Sequence, residues 1–263
     1  LSGHFKALSS IRKQAAPRKS EAPDMLTCAK ALAAEVRSLV ADYLDGIRFA
    51  ADSILFLDRI ERFAAMIAFW GARMNLTAEP DDPRELAFHI IDSLIPVILG
   101  GNEELLRHAF RAGNRVLDLG SGAGFPGLVL ASVSAANFSL IESRRKRSSF
   151  LAVAAAEMDL KNVVVEARRM KPARASSSRS AEDAEPKLCS YFDVVIARGY
   201  ALPPAFHSAA ASALRQGGIA ILYANPGQNL AQANRLHEFR LLPYTIPRGS
   251  RVVQRILGVW RLR

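Results

Sequence analysis

Cysteine is nearly absent from this chain of 263 residues, which has only Cys28 and Cys189. The two lie far apart in unlike surroundings. Neither a disulfide framework nor a metal-binding spacing can be built from them, so a reducing compartment is expected and a metal is not. Long apolar runs are missing too. No stretch reaches the roughly 18 residues that a membrane span needs, so no membrane partner is expected. The first two dozen residues lack the apolar core of a secretion signal, and a cytoplasmic location is the expectation. Acidic side chains are scarce relative to basic ones: 25 Asp and Glu face 35 Lys and Arg, a net charge of +10, with a pI of about 10.0. That imbalance suits a polyanionic partner, most simply nucleic acid, although a merely solvated basic surface would have the same composition.

Apolar residues are plentiful, at 50% of the chain, enough for a substantial core in one large domain. Residues 1–24 are basic and rich in Ser and Ala. They read as a disordered leader, with Met25 as a candidate start. Residues 25–110 read as helical. Val36, Leu39, Val40, Tyr43 and Leu44 fall on one helical face, and Ile54, Leu57, Ile60, Phe63, Ala64, Ile67 and Ala68 fall on another. Gly71 and Asn75 break the second helix, and a third is expected over Glu85–Leu99. From residue 111 to 263 the pattern changes to short apolar runs alternating with helical ones: Arg115–Leu119, Phe138–Glu142, Asn162–Glu166, Phe192–Ala197 and Gly218–Tyr223. This alternation signals a parallel sheet flanked by helices. Runs at Phe239–Tyr244 and Arg251–Trp260 follow without a helix between them and read as a terminal hairpin. Residues 171–190 read as a flexible insertion.

The segment Asp118-Leu-Gly-Ser-Gly-Ala-Gly-Phe-Pro-Gly127 joins the first of these strands to a helix. Glycines at such a turn let a ligand approach the backbone, and the free N–H groups of the helix start point toward it. Gly122-x-Gly124-x-x-Gly127 fits a dinucleotide fingerprint, with Glu142 about 20 residues on as the ribose-binding acid. The spacing fits S-adenosylmethionine (SAM) as well. Asp118 at the strand end, placed to hold a cationic amino acid, and the looseness of a loop with Ser121 favour SAM. A glycine-rich turn without ligand has the same spelling.

Further motifs stand in order around this loop: Phe69-Trp-Gly-Ala-Arg-Met-Asn-Leu-Thr-Ala78, His89-Ile-Ile-Asp-Ser-Leu94, Ile141-Glu-Ser-Arg-Arg-Lys-Arg-Ser-Ser-Phe-Leu151, Phe192-Asp-Val-Val-Ile-Ala-Arg198 and Leu214-Arg-Gln-Gly-Gly218. Together, over about residues 50–225, they resemble the bacterial small-subunit ribosomal RNA guanine-N7 methyltransferases, the RsmG or GidB family. The resemblance implies an α/β fold: a Rossmann-like class I SAM methyltransferase with a mostly parallel seven-stranded sheet and an N-terminal helical subdomain. It implies SAM as donor and a guanine of 16S ribosomal RNA, alone or in the small ribosomal subunit, as acceptor. Gly120, Gly122 and Phe125 match the family's cofactor loop, Glu142 its ribose acid, and Arg198 the arginine near methyl transfer, which the resemblance places among the cofactor-binding residues as well. The adenine-side pair falls on Arg169 and Met170, where the family usually carries a small residue followed by Glu. Gly199 and Tyr200 replace an Ala and an apolar residue. Tyr223-Ala-Asn-Pro-Gly227 replaces a Tyr-x-Gly or Lys-Gly piece.

Methylation at guanine N7 needs no proton removed beforehand, so no general base is sought. Arg198 is the natural donor toward guanine O6, with Asn75 and His89 as further catalytic candidates. A structural hydrogen bond from His89 and a local cap by Asn75 are the plainer readings of the last two. Lys146 and Arg147, and Arg251 and Arg255 within an acid-free arginine cluster near the carboxy terminus, are RNA-binding candidates. Trp70, Tyr200 and Tyr223 could stack on a base, or belong to the core. Rival readings are another SAM-dependent RNA or protein methyltransferase, an NAD(P) oxidoreductase, and a non-catalytic RNA-binding relative.

Overall fold

Three aspartates set the helical part. Asp24 accepts from the Thr27 N–H, Asp52 from Ile54 and Leu55, and Asp82 from Arg84 and Glu85. Each satisfies donors that a helix start leaves open. They open α1 (Met25–Leu44), α2 (Ser53–Met74) and α3 (Pro83–Leu99) in the computed structural model, which describes residues 24–47, 52–169, 190–200, 203–230 and 236–263. Residues 1–23 of the leader, Met170 and the insertion up to residue 189 lie outside the described residues. α2 ends where Asn75 turns left-handed (φ 50°, ψ 52°), a conformation that Asn tolerates. Val36 and Val40 of α1, Phe56, Ile60, Phe63 and Ile67 of α2, and Leu86, Ile90 and Leu94 of α3 are all buried. α3 starts two residues before the expected Glu85, because proline suits the first helical position. The helical reading of residues 100–110 is corrected: Gly100 and Gly101 end the helix, and turns follow up to residue 113. In these turns Leu105, Leu106 and Ala109 are still buried.

The strands are β1 (Arg115–Leu119), β2 (Asn137–Ile141), β3 (Val163–Glu166), β4 (Phe192–Arg198), β5 (Leu214–Ala224), β6 (Leu236–Arg248) and β7 (Arg251–Leu262). Helices α4 (Gly127–Val133), α5 (Arg145–Glu157) and α6 (Pro203–Ala213) connect them. The sheet order is β3-β2-β1-β4-β5-β7-β6. β1 to β5 pair in parallel, and β7 runs antiparallel to both β5 and β6. The expected hairpin is therefore β6–β7, closed by Arg248 opposite Arg251. β5 begins earlier than its apolar run, since Leu214 already pairs with Phe192 before the register shifts.

Strand order reverses between β1 and β4. Such a switch point opens a crevice at the carboxyl ends of the strands. One apolar cluster fills the space between α1–α3, α4, α5 and one face of the sheet, and a second lies under α6 on the other face. α3 packs against α1, α4 and β6, which puts its polar residues beside the crevice.

Candidate functional site

The glycine loop leaves β1 at the switch point. Gly120 (φ 73°) and Gly122 (φ 58°) hold backbone angles that L side chains rarely adopt. Asp118 braces the loop from below, its Oδ2 accepting from the Gly127 N–H at 3.2 Å. A Cβ at Gly127 would sit 2.4 Å from that oxygen, so this position admits only glycine without a shift. Burial raises the Asp118 pKa to about 7, and its Oδ1 has no hydrogen-bond partner among the described residues. At the end of β2, Glu142 accepts from the Gly122 N–H at 3.1 Å with Oε2 and from the Arg144 N–H at 2.8 Å with Oε1. Each oxygen keeps acceptor capacity for a hydroxyl. A fixed carboxylate beside close-approach glycines, with an orphaned buried oxygen behind them, fits the ribose and amino ends of SAM.

Phe125, read as a loop residue for the cofactor, has a different place. Its ring is buried against Phe63 (centroids 5.1 Å apart) and His89 (5.3 Å). The Arg198 guanidinium lies 5.0 Å from the same ring. Phe125 thus wedges the loop onto α2 and α3 rather than leaving its ring open to a ligand.

Beyond the loop lies a cavity of about 340 Å³, walled by α3, the ends of β4 and β5, and the β6–β7 hairpin. Its organising residue is Asp92, fully buried on α3. Asp92 Oδ2 accepts from Arg198 at 3.1 Å and from Arg255 at 3.4 Å, and Oδ1 accepts from the Tyr244 hydroxyl at 2.7 Å. Arg198 also donates to the His89 carbonyl at 3.3 Å. Arg255 donates to the Asn225 side chain as well. Burial and the Asp92 charge push the Tyr244 hydroxyl well above its ordinary pKa. Arg248 closes one side, bonded to Glu85 at 2.7 Å and lying over the Phe88 ring.

Burial, then the charges of Arg198, Arg248 and Arg255, lower the His89 pKa to about 3. The imidazole is therefore neutral at ordinary pH. Its Nδ1 is buried with no partner among the described residues, so His89 meets the loop through its ring contact with Phe125, and its carbonyl ties α3 to Arg198 at the end of β4. Tyr200 joins loop and cavity. It is half-buried and lines the cavity, and a Cβ on Gly120 would come within 3.2 Å of its ring.

The remaining candidates scatter. Asn75 is the exposed helix cap, and its carbonyl accepts from Arg147 across the glycine loop. It lies outside the cavity that holds His89 and Arg198. Arg147 is thereby a tie between α5 and α2, while Lys146 is exposed. Arg169 follows β3 on the surface, close enough for its charge to act on Tyr200. Arg251 is exposed at the hairpin turn. Arg255, read from the sequence as an open phosphate contact, is instead part of the cavity wall: its side chain is 14% exposed and it pairs with Asp92. Tyr223 is core, its hydroxyl bonded to the Ser93 carbonyl at 2.8 Å. Tyr244 was missed; Asp92 stood only within the His89–Leu94 motif, and Arg248 only within the acid-free arginine cluster read as a phosphate surface. The i, i+3 spacing of His89 and Asp92 puts both on one face of α3, and no distant partner can be read from it.

Among the described residues no cluster of His, Cys, Asp or Glu could hold a metal, and no helix is long and apolar enough to cross a membrane. Residues 57–247 match the family model GidB, described as rRNA small subunit methyltransferase G. The chain is 34% identical over 209 residues to the ribosomal RNA small subunit methyltransferase G of Acidiphilium cryptum, covering 78% of this chain and 84% of that one. It is 31% identical to the Burkholderia multivorans protein of the same name, covering 75% of each. Among solved structures, the tRNA (m1A58) methyltransferase TrmI from Aquifex aeolicus is a distant likeness: 14% identity and a TM-score of 0.46, over 66% of this chain and 68% of that one.

Proposed function

The chain belongs to the GidB family, rRNA small subunit methyltransferase G, and from that membership we propose that it transfers a methyl group from SAM to N7 of a guanine in 16S ribosomal RNA. One observation carries the assignment of roles. A braced glycine loop with Glu142 adjoins a cationic cavity, and Arg198 and Tyr200 stand at the join. The substrate class extends to the partly or fully assembled small ribosomal subunit, because RNA is read by shape as well as by sequence. The site of action is the cytoplasm.

SAM supplies an electrophilic methyl on a sulfonium. The residues of the chain do the rest. Gly120 and Gly122 let the donor lie against the backbone, and Glu142 takes its ribose hydroxyls. Arg169 bounds the adenine side, where its backbone groups, not a carboxylate, are available. The flipped guanine enters the cavity, as bases do in enzymes that act on them. Arg198, held by Asp92 and the His89 carbonyl, donates to O6, and neutral His89 adds no positive charge against a purine that becomes cationic. Asn75 acts from outside the cavity, through Arg147 at the edge of the glycine loop. Arg255 reads the base from the wall. Lys146 and Arg251 are left for phosphates. No base is needed, because the N7 lone pair is already free. Alignment of nucleophile and methyl, with water excluded, can supply about 7–11 kcal/mol.

Calorimetric titration tests this reading. Micromolar SAM binding is expected, lost in Glu142→Ala, with no binding of NADH. Absence of SAM binding together with salt-sensitive RNA binding would contradict it and leave a non-catalytic RNA-binding relative.

A further inference from the structure

On the open side of the glycine loop, the carboxyl end of α2 meets the start of α5. The buried stripe of α2 runs through Phe56, Ile60, Phe63 and Ile67. Its spacing continues to Trp70. There the burial stops, and Trp70 is 41% exposed. Its ring meets Phe69 edge-on at 5.0 Å, and the Arg73 guanidinium lies 5.2 Å from the Phe69 ring and 5.9 Å from the Trp70 ring. An aromatic face and a cation are thus presented together.

Four helical residues, Gly71 to Met74, separate Trp70 from Asn75, about 7.5 Å of rise along the axis, and Asn75 is bonded to Arg147. Arg144, Arg145 and Lys146 are exposed beside that bond, with no acid in the first turn of α5 and no ion pair among the described residues. The acid nearest in sequence, Glu142, accepts from two backbone N–H groups of the loop and helix start. Arg147 reaches to within 4.0 Å of where a Gly122 side chain would begin, so this surface abuts the cofactor loop.

We propose that this surface, Trp70 with Arg73 and the run Arg144–Lys146, docks single-stranded RNA flanking the target guanine. One unpaired base stacks on Trp70, and the neighbouring phosphates lie on the arginines and lysine. Stacking on an aromatic is sequence-tolerant, and the cations track the backbone. The surface is distinct from the cavity that takes the methylated base. The inference rests on the reading of the chain as an RNA methyltransferase and assigns how the substrate is held beside the site.

The chain has two tryptophans. Trp260 is fully buried, so a change in intrinsic fluorescence on adding RNA reports Trp70. A short unstructured RNA carrying a central guanine is titrated into the full chain, with SAM titrated in parallel. Quenching is expected in the wild type and absent in Trp70→Phe. Trp70→Ala should weaken RNA binding about tenfold, and Trp70→Phe much less, with SAM binding unchanged in both. Replacing Arg144, Arg145 and Lys146 together by Ala should reduce the salt slope by about 2, at roughly 0.7 per phosphate contact. Unquenched fluorescence, wild-type RNA affinity in Trp70→Ala, or equal quenching by a poly-glutamate peptide would overturn the proposal while leaving SAM binding intact. Loss of SAM binding in the wild type would instead strike the underlying functional reading.

Discussion

Replacing Asp92 by Asn changes one atom's chemistry at the centre of the cavity and leaves its volume alone. The carboxylate accepts from two guanidiniums at one oxygen and from a phenol at the other. An amide offers one acceptor and one donor. If its oxygen stays with Tyr244, its NH2 faces Arg198 and Arg255, donors against donors. If it flips, Tyr244 loses its acceptor. Both guanidiniums are only 14% exposed, so water screens them little. Removing one partner of a buried pair costs about 3–5 kcal/mol, a large part of the roughly 5–15 kcal/mol that holds a domain together. Tyr244→Phe removes a single hydrogen bond and should cost about 1–2 kcal/mol.

Urea denaturation of both variants reads these losses. Methyl transfer to 16S RNA should fall about 100-fold in Asp92→Asn, the order expected when a reacting group is misplaced by about 1 Å, because Arg198 loses its anchor. SAM affinity should hold, since Asp92 does not touch the glycine loop. A loss of stability below about 1 kcal/mol with undiminished transfer would refute the role given to Asp92 and imply that Arg198 is fixed by other means.

Gly127→Ala places a methyl 2.4 Å from Asp118 Oδ2; calorimetry should show SAM affinity falling more than tenfold, at a stability cost of about 1–3 kcal/mol. For His89 the folded pKa is about 3 against an ordinary 6.5. The unfolded chain binds the extra proton between those values, so the His89 contribution is complete above 6.5 and is lost as pH falls toward 3. Asp118 has the opposite sign. With a folded pKa of about 7 against 3.8, its contribution is complete below 3.8 and is lost as pH rises through 7. The two slopes oppose each other from about pH 4 to 6.5. His89→Gln should therefore expose the Asp118 slope, with stability rising on acidification over that range by up to about 1.4 kcal/mol per pH unit relative to the wild type; parallel wild-type and variant curves in urea titrations at stepped pH would contradict this.

The glycine loop, Glu142 and the alternation of strands were legible because each is local. A turn, an acid about one βα unit onward and a change of period all lie within short windows. The Asp92 network was not, because its donors come from 106, 152 and 163 residues away. Nothing in the His-Ile-Ile-Asp spelling indicates which distant strands will meet it. Arg255 shows the same limit from the other end: an arginine in an acid-free stretch reads as surface, and its acid arrives from α3. Phe125 reads as part of the loop, but the size and burial of its ring make it a wedge. The turns after Leu99 carry apolar residues at helix-like spacing and still do not form a helix, since Gly100 and Gly101 stop it.

The central claim is tested most directly by the identity of the methylated nucleoside. The purified chain would be incubated with SAM carrying a labelled methyl and with small ribosomal subunits or 16S RNA lacking modification, and the RNA then digested to nucleosides. Label in 7-methylguanosine, at one per 16S RNA and abolished by Arg198→Ala, is the result expected. Label in another nucleoside or in protein, or none while SAM binds, would contradict the assignment of the cavity to guanine N7.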